Sequence, residues 1–295
     1  MKTNPRKPLG IINLESGPKE IYPTNDFFLN YLFNNPKRWE ALRTIVNIYV
    51  SDYKLKDAPH TLLKTIDGEY TVTTQYKYYL GATQTSKSQD LKIEDRNITF
   101  VEVQNRANTN PPIELRAIEY FGLSLGHNRG RDVTQIWILA EDVDSVLHGS
   151  AYANYVLKNE VTDAVYPVTT NLMFVSLRKL AANNNEAGEL SKFLLGRGND
   201  TKSDTVQSVV KLFDEGFNSF IDDKEAKINM SVLESYLLEG HERGREEGRE
   251  EGMETKALEI IVEMFKDGFT IEQIAKYVKL PLGKIEDHIS ATENV

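Results

Sequence analysis

The chain has 295 residues, of which 40% are hydrophobic and 27% charged, with a formal net charge of −9 at pH 7. An acidic total excludes a broadly basic, nucleic-acid-coating protein, so any nucleic-acid binding requires a local basic patch. The absence of cysteine excludes disulfides, cysteine-based zinc sites and thiol nucleophiles, and fits a reducing cytoplasm. No apolar run approaches the roughly 18 residues of a membrane span, and no apolar stretch follows the basic start as in a signal peptide.

Residues 1–24 carry Pro5, Pro8, Gly10, Gly17, Pro18 and Pro23 and read as an irregular, partly extended arm. A helix is expected to start at Thr24-Asn25-Asp26, whose short polar side chains suit an N-cap. Apolar residues at helical spacing predict a short helix, a turn at Asn34-Asn35-Pro36, and a second helix from about Pro36 to Val50. Residues 51–68 read as a loop with one short piece from Thr61 to Ile66, ending at the turn signal Asp67-Gly68. Tyr70, Val72, Thr74, Tyr76, Tyr78 and Leu80 then alternate along a strand. The tyrosines are either a stacking face for bases or good strand formers on a half-buried surface; the second account is the simpler. Residues 81–87 form a polar connection.

Two short strands follow, within Ser86 to Arg106. Leu91 and Ile93 share a face with Thr99, Val101 and Val103, and the opposite face carries Asp90, Lys92, Phe100, Glu102 and Gln104. Opposed residues must share a face, which selects a three-residue loop, Asp95-Arg96-Asn97, ending on an Asn that tolerates the left-handed conformation. That register sets Asp90 opposite Glu102, with Cβ atoms about 4.5–5.5 Å apart. Like charges so close destabilise a sheet unless something cationic sits between them. Two acids and an amide on one patch suit a divalent metal.

Pro111-Pro112 introduces a helix running to about His127, with Leu115, Ile118, Phe121 and Leu125 expected on its buried face. Arg116 and Tyr120, four apart, are neighbours on another face. Val133 to Ala140 is a nearly continuous apolar run, as in a central strand covered on both sides. An extended segment (Tyr152 to Leu157), a strand or helix around Leu172 to Leu180, a loop at Asn183 to Gly188, and helices from about Glu189 to Leu238 with breaks at Gly196–Asn199 and Asp222-Asp223 complete this part. From Glu239 to Glu254 glycines recur every four residues among seven acids and three arginines. This is either a smooth stripe for helix pairing and self-association or a charged, weakly helical linker. Helices follow at Lys256–Lys266, after the capping box Thr270–Gln273, and after Leu280-Pro281-Leu282-Gly283. This small unit is helix-turn-helix-like, yet its five Lys against seven acids suits protein packing better than DNA reading.

Gln89-Asp90, Glu102-Val103-Gln104, the Arg116/Tyr120 helix, the Trp-containing strand after it and the Gly-repeat tail together resemble the Rpn (YhgA-like) family, the recombination-promoting nucleases and putative transposases of the PD-(D/E)XK nuclease superfamily. The resemblance implies an α/β (α+β) fold: a restriction-endonuclease-like αβββαβ core with a helical C-terminal extension. It divides the chain into an arm (1–24), a nuclease-like core (25–182), a helical extension (183–238), a Gly/Glu/Arg-rich helical linker (239–255) and a small helical tail (256–295). The implied activity is Mg²⁺- or Mn²⁺-dependent endonucleolytic hydrolysis of DNA, with Asp90 and Glu102 as metal ligands and Gln104 at the position where the superfamily has Lys. The carbonyl of Val103 is a further candidate ligand. Lys92, Arg106, Arg116 and Tyr120 are candidate phosphate contacts, with Arg96, Arg129 and Arg131 as outlying ones, and Arg116 and Tyr120 serve alternatively as packing support. Asp26 is either a third acid of the site or a helix cap, the cap being the simpler account. The alternative to the nuclease is an inactive relative that binds DNA or protein, or oligomerises through its tail.

Overall fold

The structure, a computed structural model, describes residues 7–14, 17–56, 63–79, 86–128, 130–162, 164, 170–198, 201–278 and 280–293, with side chains except at 76–79, 86–88, 233–251, 253–254 and 290–293. The expectations for residues 81–85, for Leu80 and Arg129, for the start of the Thr61 to Ile66 piece, and for the side chains of Tyr76, Tyr78 and the first three repeat glycines lie outside the described residues. The chain divides into two compact units, Met1–Met230 and Ser231–Val295.

The first unit is built on a mixed six-stranded sheet. Strands β3 (Thr71–Tyr79), β4 (Ser86–Glu94), β5 (Ile98–Gln104), β6 (Val133–Leu139), β7 (Tyr152–Val156) and β8 (Thr170–Ser176) lie in the order β3-β4-β5-β6-β8-β7. β5, β6 and β8 run parallel to one another, and antiparallel pairs flank them on both sides. The continuous apolar run of β6 follows from its place: every residue is buried, because a strand in the middle of a parallel set is covered on both faces. One face, through Leu91, Ile93, Val101, Ile136, Ile138, Met173 and Val175, packs on α1 (Asp26–Phe33), α2 (Trp39–Lys56), α6 (Glu186–Leu194) and α7 (Asp204–Asp222). The other, through Phe100, Val133, Trp137, Leu139 and Phe174, packs on α3 (Ile113–His127) and the short α4 (Asp144–Leu147). A single-turn α5 (Leu177–Leu180) follows β8.

Two expectations change. Residues 10–21 are not an irregular arm but a hairpin, β1 (Gly10–Leu14) with β2 (Gly17–Ile21), whose Ile12 and Ile21 are buried in the main core. The alternation that selects their inward face was hidden by the flanking prolines. The helices of 183–222 pack into the main core: Leu190, Phe193, Val209, Phe213 and Phe220 share it with α1 and α2. On α3 the buried face is Ile113, Ala117, Phe121 and Ser124, while Leu115 and Ile118 are 59% and 61% exposed. The helix is thus turned by about 100°, one residue's rotation, from the face its large apolar residues suggest. Small Ala117 belongs to the cluster that covers the broad ring of Trp137.

In the second unit, α8 (which starts at Lys224 and ends at Lys266), α9 (Ile271–Val278) and α10 (Leu282–Glu293) gather Ile261, Ile274, Ile285 and Ile289 into a small core. The expected capping box is present: Thr270 N donates to Gln273 Oε1 at 2.9 Å and Gln273 N to Thr270 Oγ1 at 3.4 Å. The repeat segment 239–255 lies within α8. Among the described residues, no helix is long and apolar enough to cross a membrane.

Candidate metal and phosphate site

The β4–β5 register runs from Glu94↔Ile98 to Leu91↔Val101, which is the register the face rule requires. The hairpin closes as expected over Asp95–Asn97, but Asn97 does not take up a left-handed backbone. Its N–H instead bonds Asp95 Oδ1, at 2.6 Å, an Asx turn that makes the loop without positive φ. One step beyond Leu91↔Val101, side chains take over from the ladder. Asp90 N donates to Glu102 Oε1 at 3.0 Å, and Val103 N donates to Asp90 Oδ2 at 3.1 Å. A strand residue's N–H and C=O leave on the same side, so the Val103 carbonyl also points along the edge facing Asp90.

Each carboxyl is thus held against the backbone of the other's strand. Glu102 is only 3% exposed. Burial first, and then the charge of Asp90, hold its proton well above the usual carboxylate range, against the pull of the Asp90 N–H and Arg116. Burial also raises Asp90, opposed by the Val103 N–H, the Glu102 carboxyl and Arg116. Two such carboxyls share a proton, or exchange it for a cation. This donor set fits a hard divalent ion: two carboxylates and a backbone carbonyl on the same edge. Among the described residues no group of three or more Asp, Glu or His is drawn together as a complete cage, so water and substrate oxygens would supply the remaining positions.

Arg116 and Tyr120 lie beside the buried face of α3, and the rotation of that helix aims Arg116 at the sheet. Its Nη1 donates to Gln104 Oε1 at 2.9 Å. The guanidinium lies 5.4 Å from the centroid of Trp137 and 5.9 Å from that of Tyr120, whose rings stack on each other at 6.1 Å. Tyr120 therefore packs and orients Arg116. Arginine has no acceptor, so the Gln104 atom facing it is the carbonyl oxygen, and the amide NH₂ faces the other way as a donor.

Asp26 is not the cap of α1. Asn25 is, accepting from Phe28 N at 2.9 Å. Asp26, one residue on, is exposed, yet crowding by protein and then the charge of Asp90 raise its carboxyl to about 7, with Arg116 opposing. Water screens part of that rise. Asn105 Nδ2 holds the carbonyl of Thr24 at 2.6 Å, which ties the end of β5 to the start of α1 and so brings Asp26 toward the acid pair.

The other cations stand elsewhere. Lys92 is buried, with Nζ 2.8 Å from Glu94 Oε2. Glu94 also pairs with Arg131, and the two cations pull its carboxyl below the usual range. Lys92 and Arg131 thus brace the turn end of the hairpin. Arg96 is exposed at the turn, and Arg106 is exposed in the loop after β5. Sequence reasoning missed Trp137 as the bed of Arg116 and Asn105 as the tie to α1. Trp137 aligns with Glu102 only across a parallel pair, whose register the sequence does not mark. No sequence-family model, curated protein or solved structure matches this chain.

Proposed function

We propose that the protein is a metal-dependent endonuclease of the PD-(D/E)XK type, hydrolysing phosphodiester bonds in DNA. The observation that carries the reading is the pairing of half-buried Asp90 with buried Glu102, each carboxyl accepting a backbone N–H of the other's strand at the point where the β4–β5 ladder opens. Asp90, Glu102 and the Val103 carbonyl would hold Mg²⁺ or Mn²⁺. Such an ion, when bound, acidifies a coordinated water and neutralises charge on a phosphate oxygen.

The chain's own residues do the rest. Asp90 and Glu102 give up their shared proton on loading. Gln104, its carbonyl engaged by Arg116, offers its NH₂ to a water or a phosphate oxygen, and Arg116 supplies the positive charge that a glutamine lacks. This couple divides between two residues what a single lysine supplies elsewhere in the superfamily. Asp26, at the margin and with its carboxyl raised to about 7, would accept a proton.

The test is nicking of supercoiled DNA with Mg²⁺ or Mn²⁺ by wild type, Asp90→Asn and Glu102→Gln. Metal-dependent nicking that is lost in both variants is expected. Equal inactivity of all three across metals and DNA forms would refute the reading and favour a binding protein.

A further inference from the structure

A cavity of about 420 Å³ opens beside α1. Asn30, Asn34, Gln75 and Asn229 line it with four side-chain amides, and Phe27 and Tyr31 contribute ring surface. Asp223 and Glu225 are charged lining residues, no Lys or Arg is among the described residues that line it, and the Arg38 guanidinium lies 5.9 Å from the centroid of Tyr31. Two features join it to the acid pair. Asn30 Nδ2 donates to the carbonyl of Asp26 at 2.9 Å, and Asn30 Oδ1 is buried with no protein partner. Gln75 drops out of the β3–β4 register between Thr74↔Leu91 and Tyr76↔Gln89, opposite Asp90, with φ at +50°. A non-glycine residue in that region costs about 1–3 kcal/mol and concentrates at ligand sites.

From this juxtaposition we infer that the cavity takes one unpaired nucleobase of the strand whose phosphate lies at the acid pair, so that the substrate is single-stranded or locally unpaired nucleic acid. The inference rests on the nuclease reading. The carboxylates of Asp223 and Glu225 disfavour a phosphate there. Amides and carboxylates instead match the donor and acceptor edges of bases, and aromatic rings offer their faces. The volume lies within the 300–1,000 Å³ range of small-ligand pockets. Asp26 to Asn30 is one helical turn, about 6 Å, on the scale of one or two nucleotide steps of about 3.4 Å. A base held in a duplex cannot enter such a pocket unless it leaves the stack.

The experiment is fluorescence anisotropy of the full chain in EDTA, so that cleavage does not interfere. The probes are a short single strand, its duplex, and single strands carrying one abasic site at successive positions. The expected result is tighter binding of the single strand, with about a tenfold loss at one abasic position. The double variant Asn34→Leu/Asn229→Leu, with its thermal unfolding checked against wild type, should bind intact and abasic strands equally. A flat abasic scan on wild type, or a variant that keeps the penalty, overturns the proposal. Tight binding of a free nucleoside by a protein indifferent to the abasic site assigns the cavity to a small molecule and also overturns it. Metal-dependent nicking with a flat scan removes the base pocket alone. A position-specific abasic penalty without nicking in any metal removes the nuclease reading and leaves the pocket.

Discussion

Replacing Glu102 with Gln separates cation binding from folding. The amide keeps an oxygen to accept from Asp90 N, now at 3.0 Å from Oε1, and gains an NH₂ that donates to Asp90. The hydrogen bonds survive while the titrating charge goes. In wild type Glu102 holds its proton above the ordinary 4.5. From there up to its raised folded value, the native state binds more protons than the unfolded chain, so this residue's contribution to stability falls as pH rises. Mg²⁺ reverses that loss by replacing the proton. For a dissociation constant on the order of 1 mM, 10 mM Mg²⁺ stabilises the fold by RT ln 11, about 1.4 kcal/mol. In a domain of this size that raises Tm by roughly 3–5 °C. Thermal unfolding with and without 10 mM Mg²⁺ at pH 6 and pH 8.5 measures it. Wild type should show the larger shift at pH 8.5, and Glu102→Gln should show little at either pH and a flatter metal-free profile. An equal Mg²⁺ shift in wild type and Glu102→Gln would mean that the cation acts elsewhere and would refute the reasoning.

Arg116→Met removes the charge beside the acids and the donor to Gln104, and should cost about 1–3 kcal/mol in urea unfolding; Arg116→Lys should restore little, since a point charge cannot both lie on Trp137 and reach Gln104. Asp26→Asn should leave a metal-free protein whose stability declines less between about pH 4 and pH 7, because the raised carboxyl of wild type loses its proton across that window; screening keeps the difference below about 1 kcal/mol. Tyr152→Phe takes the hydroxyl, 2.8 Å away, from buried Asp52, which Asn185 and Lys56 also hold; a loss of about 1.5–3 kcal/mol is expected, and a change under about 0.5 kcal/mol would mean that the other two partners suffice. Gly188→Ala would place a Cβ 2.1 Å from the Asn183 carbonyl oxygen and should cost about 1–3 kcal/mol, read as a lower urea midpoint.

The hairpin was legible because a period of two leaves little freedom: once Leu91, Ile93, Val101 and Val103 define a face, Asp90 must meet Glu102. The capping box at Thr270 and the breaks between the later helices were legible for a similar reason, since each depends on residues a few positions apart. What escaped depends on partners far away in sequence. The rotation of α3 is decided by the ring of Trp137, not by the helix's own apolar residues, which leaves Leu115 and Ile118 in solvent. Asn25 and Asp26 are both capable caps, and it is Asn25 that has the extended backbone and accepts from Phe28 N. The Asn30–Gln75 cavity joins a helix to a strand some 45 residues later with no short-range pattern to mark it.

The start of the chain is locked to a distant part of it. Phe28 meets the rings of Phe213, Phe217 and Phe220 at centroid distances of 6.1, 6.2 and 5.8 Å, and a Cβ at Gly10 would fall 2.3 Å from Phe217. During synthesis, then, the hairpin and α1 lack this aromatic part of their packing until α7 has left the ribosome. Long-range closure of this kind slows folding and leaves α1's aromatic face open to misassociation in the meantime. A product ending before α7 would carry both acids of the hairpin, but an α1 without the aromatic rings that Phe28 packs against.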